Sequence, residues 1–397
     1  MVNEYFSLHS YGGTLEYYLF ELANFSALAF FVVFLYKLNY INSNSLIAWL
    51  AIFFTPLIIN YFIIPPSLFG DQFQYAAEAM SLKASGTSAE YTVGDRFGIG
   101  NTVTLTAKML GAVPLPNYMT VTSLAFANKF YLFITFLWLK RFFSNENEVL
   151  LYFLIPSIIL YSSMGLRDTL CILLSLIFII NLLRDRYVFA VVFLSPLLLL
   201  KIQVFAVLLL YLIARLLFRA HKNYYLFMLF FLALLIGGFI WEEEILEVLN
   251  LYRLAFAAED FIAPDGSFSY AAFSVYGVGA EALVLSSVGE AIFKAILNLP
   301  MFFIMPLPWN WSNIFYPLQA LESWLLIYLY VRLGMKQNLY KNYEFILLTF
   351  ILLIGSSMYA LLMGNEGTFV RYRFSLFYPF LLAAFYLSSA SYKDSKK

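Results

Sequence analysis

Residues 149–218 read VLLYFLIPSIILYSSMGLRDTLCILLSLIFIINLLRDRYVFAVVFLSPLLLLKIQVFAVLLLYLIARLLF. Four apolar runs, 149–163, 169–183, 187–200 and 204–218, are separated by short polar turns. At 1.5 Å per residue each run makes a helix of roughly 22 Å, shorter than a ~30 Å hydrocarbon core. Two readings follow. Tyr161, Ser162 and Ser163 extend the first run as helix, or the outer ends of all four line a water-filled vestibule.

Outward from this stretch the pattern repeats. Apolar runs occupy 19–36, 45–64, 119–139, 224–241, 315–331, 344–362 and 374–390. A further stretch, 291–305, is interrupted and followed by Pro300, Pro306 and Pro308, which favours a re-entrant or interfacial piece over a straight crossing. Charged residues make up 12% of the chain, against about 25% in an average soluble domain. So few charges cannot cover a water-soluble surface, and lipid is the expected solvent. The predicted fold is all-α: a polytopic membrane helix bundle of about eleven transmembrane helices. It forms a single transmembrane domain over 1–397, with two large outer loops at about 65–118 and 242–314.

Lys and Arg set the orientation. Lys37, Lys140 with Arg141, Arg184 with Arg186, and Arg219 with Lys222 fall in alternate loops. Arg332, Lys336 and Lys341 join them, as does the tail with Lys393, Lys396 and Lys397. These are assigned to the cytoplasm, with the N-terminus outside and 291–305 not crossing. The start, MVNEYFSLHS, lacks the basic region of a cleavable signal. No basic patch interleaved with aromatics points to nucleic acid. Cys171 is the only cysteine, and no Cys/His metal spacing exists.

On this map the outer face collects charge. Asp71 follows run 45–64, in FGDQFQYAAEAM, and Asp95 with Arg96 share its loop. Arg167 and Asp168 sit in YSSMGLRD, Lys201 in the next outer turn, and Arg371 with Arg373 in the last outer loop, NEGTFVRYR. Cations on this face ask for an anion. Arginine forks bind phosphate oxygens in pairs and lysine adds a point charge. A carboxylate beside them can act as a general base. Structural alternatives stand beside each. Asp71 is an N-cap, Asp168 stabilises the start of 169–183, Lys201 snorkels to the interface, and Arg371 and Arg373 meet lipid headgroups. Asp95 and Arg96 pair in solvent. Lys129 lies inside an apolar run, where a charge is either functional or paired with a neighbouring helix. Glu322, near the outer half of 315–331, is a candidate buried acid. Trp309, Trp311 and Trp324 either anchor helices or stack on sugar rings.

Asp71 just after an early helix, followed by Tyr75, Ala76, Ala77 and Ala79, resembles the first outer loop of GT-C-type membrane glycosyltransferases. PSIILYSSMGLRD, PLPWNW and NEGTFVRYR resemble patterns in O-antigen-polymerase-like envelope polysaccharide proteins. The resemblance implies a GT-C-like fold in a bacterial inner membrane and a polyprenyl-phosphate- or diphosphate-linked sugar as donor. It also implies Asp71 as base and outer-loop arginines at the lipid phosphate. With the charges read on the outer face, the candidate phosphate ligands are Arg167, Lys201, Arg371 and Arg373, with Asp168, Arg96 and Glu322 as secondary candidates. Two departures are plain: helix 19–36 precedes the one ending at Asp71, and Gln72 stands where a second acidic residue is expected. No cofactor is assigned, and a divalent metal is left open. The expected partners are a polyprenyl-linked sugar or oligosaccharide, membrane lipid and envelope-polysaccharide assembly proteins, with no nucleic acid. Two other functions compete. One is a transporter or flippase of an amphipathic anion, which calls for paired broken helices in a repeat. The other is a non-catalytic assembly protein, which needs no convergent cations.

Overall fold

The structure is a computed structural model. It describes residues 15–64, 71–85, 99–118, 120–143, 145–221, 229, 232–233, 236–259, 284–308, 315–336, 338–362 and 366–394. Asp95, Arg96, Trp309, Trp311, most of run 224–241 and parts of both outer loops lie outside the described residues. Among the described residues the chain is helical and contains no strand. Three helices, within Tyr18–Lys37, Ser43–Ile63 and Tyr343–Leu362, are long and apolar enough to cross a membrane. Their outward side chains match that solvent. Phe30 and Phe62 are 73% and 84% exposed, a surface that water does not favour and lipid does. The chain divides into two compact units, Met1–Phe205 with Ser389–Lys397, and Ala206–Ser388.

The first unit opens with α1 (Leu15–Lys37) and α2 (Ser43–Ile58) as a hairpin. Asn39 turns it in the left-handed region, φ 58°, which asparagine tolerates better than most residues. The Asn42 side chain then accepts from Ser45 N at 2.8 Å and caps α2. Pro56 lies inside α2 and lacks the N–H that would reach Ile52 O. The Thr55 hydroxyl donates to that carbonyl instead, at 2.7 Å. Beyond it the chain widens into a π turn, Ile59–Ile63. α3 (Asp71–Ser85) and α4 (Ile99–Gly111) follow, and α5 (Ser123–Leu139) packs against α2. At its centre Trp49 meets Phe133, Phe136 and Phe153 at centroid distances of 5.0, 5.4 and 5.7 Å. In lipid such close packing, rather than transfer from water, holds helices together.

Proline divides two of the four short runs. Run 149–163 is two helices, α6 (Glu146–Phe153) and α7 (Pro156–Ser162). Pro156 cannot donate into α6 and its ring clashes with the turn before it, but it suits the first position of a new helix. Run 187–200 is likewise α9 (Tyr187–Leu194) and α10 (Leu197–Leu200), separated at Ser195 and Pro196. Between them α8 (Asp168–Leu183) is continuous and short. Run 204–218 becomes a longer helix, α11 (Ile202–His221).

The second unit holds most of α11, then α12 (Glu242–Glu259), α13 (Val288–Ile304), α14 (Phe315–Lys336), α15 (Tyr343–Leu362) and most of α16 (Glu366–Asp394). α13 corrects the expectation of a piece broken at Pro300. It runs through Pro300 to Ile304, with Met305 as its C-cap before Pro306. Neighbours hold it along its length: Asn298 Nδ2 donates to Ala360 O at 3.4 Å, and the Phe302 and Tyr359 rings stack at 6.1 Å. Gly355 lets α11 and α15 approach, since a Cβ there would lie 2.9 Å from a Val207 methyl. The same two helices share a buried ion pair. Arg215 Nε donates to both Glu344 oxygens at 2.8 and 3.0 Å, and Tyr343 OH donates to Glu344 Oε1 at 2.6 Å.

Candidate functional site

Two helix N-termini in the first unit carry the candidate chemistry. Asp71 is the first residue of α3 and Asp168 the first of α8. A carboxylate is favoured at a helix start by the unpaired N–H groups there. Arg167 occupies the N-cap position of α8 without a side-chain cap bond.

Side chains from α5 and from the π turn after α2 hold the end of α7 and the turn that leads to Arg167. Lys129 Nζ donates to Ile159 O at 2.9 Å and to the Ser162 hydroxyl at 2.7 Å. Asn60 Nδ2 donates to Ser163 O at 2.7 Å. Asn128 Nδ2 donates to Met164 O at 2.8 Å and Leu166 O at 3.0 Å. All three side chains are buried. Turn hydrogen bonds such as Met164 N to Tyr161 O satisfy part of this backbone, and the amides and the amine take up its remaining carbonyls.

At the far side of the turn Lys201 Nζ lies 2.8 Å from Asp168 Oδ1, and both residues are buried. Lys201 therefore does not snorkel to an interface. It occupies the break between α10 and α11, where an extended backbone turns its side chain inward. Arg167 is half-buried. Burial opposes its charge, but Tyr75, Asp168, Cys171 and Asp71 lie near enough to hold the guanidinium even more firmly protonated than usual. At neutral pH the two carboxylates are the charged members of that set. Arg167 Nε is buried and has no hydrogen-bond partner among the described residues. Asp71 and Tyr75 are one helical turn apart on α3. Two turns on from Asp71, the fully buried Glu78 accepts from the Thr104 hydroxyl at 2.9 Å.

The structure thus brings Asp71, Arg167, Asp168 and Lys201 into one neighbourhood. Arg371 and Arg373 belong to the second unit, and they lie within α16 rather than on a loop. Arg371 is half-buried. Arg373 is buried, and its Nη1 donates to Phe302 O, Phe303 O and Met305 O at 3.1, 2.7 and 2.9 Å. That is a cation on the carbonyl end of α13, a favourable place for it. Glu322, also in the second unit, accepts from Tyr378 OH at 2.5 Å. Trp324 Nε1 donates to Ile304 O at 3.0 Å, which ties α14 to α13. Among the described residues no three His, Cys, Asp or Glu side chains converge as a metal ligand set.

Several polar residues in these units escaped the reading of the sequence. Glu21 is buried in α1 and accepts from Tyr61 OH at 2.5 Å. Glu78, Asn128, Arg215 and Glu344 are buried as well, and so is Gln72, which the sequence marked only as standing in place of a second acid. For Arg215 the signal was present, a lone cation in the apolar run YLIARLLF. The chain matches no family model, no curated protein and no solved structure.

Proposed function

We propose that this chain is a membrane glycosyltransferase or polysaccharide polymerase using a polyprenyl-phosphate- or diphosphate-linked sugar on the non-cytoplasmic face. One observation supports it: a carboxylate at the start of α3 lies within electrostatic reach of a guanidinium whose buried Nε lacks a hydrogen-bond partner among the described residues. In the step we propose, an acceptor hydroxyl attacks the anomeric carbon of the donor. Asp71 takes the hydroxyl proton as the new C–O bond forms. The bond from the sugar to phosphate breaks, and the electron pair leaves on the phosphate oxygen. Arg167 stabilises that growing charge, as preorganised cations do. Asp168 and Lys201 neutralise each other and brace the turn. Arg371 is retained as a candidate anion contact within the second unit. The finer architecture belongs to the same reading: about eleven crossings, a GT-C-like arrangement and a bacterial inner membrane.

Two experiments test this. Arg167→Ala should weaken donor binding about ten- to a hundredfold, the loss of one charge-assisted contact of about 1.5–3 kcal/mol. The measurement is product formation by reconstituted protein from defined polyprenyl-phosphate and polyprenyl-diphosphate sugars. No product from either donor class would defeat the proposal. Orientation is tested by Ser88→Cys and Ser267→Cys, which should react with an impermeant thiol reagent on spheroplasts. Tyr340→Cys, at an exposed position in the turn between α14 and α15, should react only after lysis. Cys171 is buried and gives little background. Labelling of Tyr340→Cys from outside would invert the map.

A further inference from the structure

Asp71 and Arg167 come from distant parts of the sequence, so something has to set the spacing between them. The residue after Asp71 is Gln72, which is 1% exposed. Its Oε1 accepts from Gly165 N at 2.8 Å, across 93 residues of chain. We propose that Gln72 is a positioning residue that ties the helix bearing Asp71 to the turn bearing Arg167; the inference rests on the functional reading above.

The local geometry makes this tie directional. The carbonyls on either side, Met164 O and Leu166 O, are both held by Asn128 of α5. The N–H between them is held by Gln72 of α3. Gly165 also lies tightly against Leu124, at the start of α5, and Val121 just before it. A Cβ there would lie 3.0 Å from Leu124 Cβ and 3.3 Å from Val121 O. The turn is therefore pinched between α5 on one side and the Gln72 amide on the other. Moving α3 moves Asp71 and, through Gly165, Arg167 two residues later. A buried amide that only filled space could be replaced by an apolar chain of the same shape. One that positions the turn needs its acceptor oxygen.

The test uses the purified full-length protein, with farnesyl monophosphate as the binding probe and hydrogen exchange over residues 159–168 as the structural readout. Gln72→Met keeps the shape and removes the acceptor. It should speed exchange at Gly165 and weaken farnesyl phosphate binding, each by about tenfold. Gln72→Glu keeps an acceptor oxygen and should restore slow exchange. In an Arg167→Ala background, Gln72→Met should weaken binding no further, because its effect acts through Arg167. Unchanged Gly165 exchange in Gln72→Met, or a loss of affinity that simply adds to that of Arg167→Ala, would overturn the proposal. Failure of the wild-type protein to bind farnesyl phosphate, with Gly165 exchange still dependent on Gln72, would overturn the phosphate reading instead. The coupling of α3 to the turn would then stand on exchange alone.

Discussion

Asp71→Asn is expected to lower sugar transfer by about 10²–10⁴ while donor binding changes little, because the amide cannot take the acceptor's proton. The variant separates two roles for a carboxylate at the first position of α3. Asparagine loses only the carboxylate's favourable interaction with the helix start, about 0.3–1 kcal/mol, so a structural role predicts near-normal turnover. Asp71→Ala sharpens the contrast. A purely structural role predicts about 1 kcal/mol of lost stability with turnover retained in the surviving protein. The measurement is turnover at saturating donor, alongside donor affinity and thermal midpoint. Near-normal turnover in a well-folded Asp71→Asn protein would remove Asp71 as the base and shift attention to Asp168 and Glu322.

The second large effect concerns Lys201 and Asp168. Lys201→Met alone leaves the Asp168 carboxylate buried without its cation. Asp168→Asn alone leaves the ammonium without its anion. Either should cost about 3–5 kcal/mol, a large part of the 5–15 kcal/mol that typically separates folded from unfolded states. The double variant Asp168→Asn with Lys201→Met removes both charges together and should recover most of that loss, since a buried pair is often replaceable as a unit. Thermal unfolding in detergent reads this directly. Single variants as stable as wild type would mean that water reaches the pair and screens it. Activity supplies an independent readout. If the pair only braces the turn, the double variant keeps most of its donor affinity, because Arg167 is still in place.

The helices were legible because an apolar run has few alternatives in lipid, where every backbone group must be satisfied within its own segment. Where the runs break was visible but undervalued. Pro156 and Pro196 stand in plain sight, yet each flanking piece is apolar enough to mask the interruption. Pro300 misled in the opposite direction, because packing along α15 keeps α13 continuous through it. NEGTFVRYR falls between the apolar runs 344–362 and 374–390, which put Arg371 and Arg373 on a loop. The described chain is already helical from Glu366. The candidate charges of the first unit were legible as charges, but not their pairing. Nothing in local sequence says that Lys201 meets Asp168, 33 residues away. The amides were the hardest to see. Asn60, Gln72 and Asn128 carry no charge, and their role appears only when the backbone they hold has been folded against them.

Lys129 also constrains how the protein is made. Within α5 its amine is matched by Ile159 O and the Ser162 hydroxyl, the latter 33 residues further along. A lysine at the centre of a helix entering lipid alone costs about 2.5–3.5 kcal/mol. At about 5–20 residues per second, α7 leaves the ribosome roughly two to seven seconds after Lys129. During that interval α5 has no partner for its amine, so it is best kept beside the insertion machinery or at the aqueous boundary. On the proposed topology, the arrival of α7 would let α5 enter the bilayer with its amine satisfied, and the same hydrogen bonds fix the end of α7 that leads to the Arg167 turn.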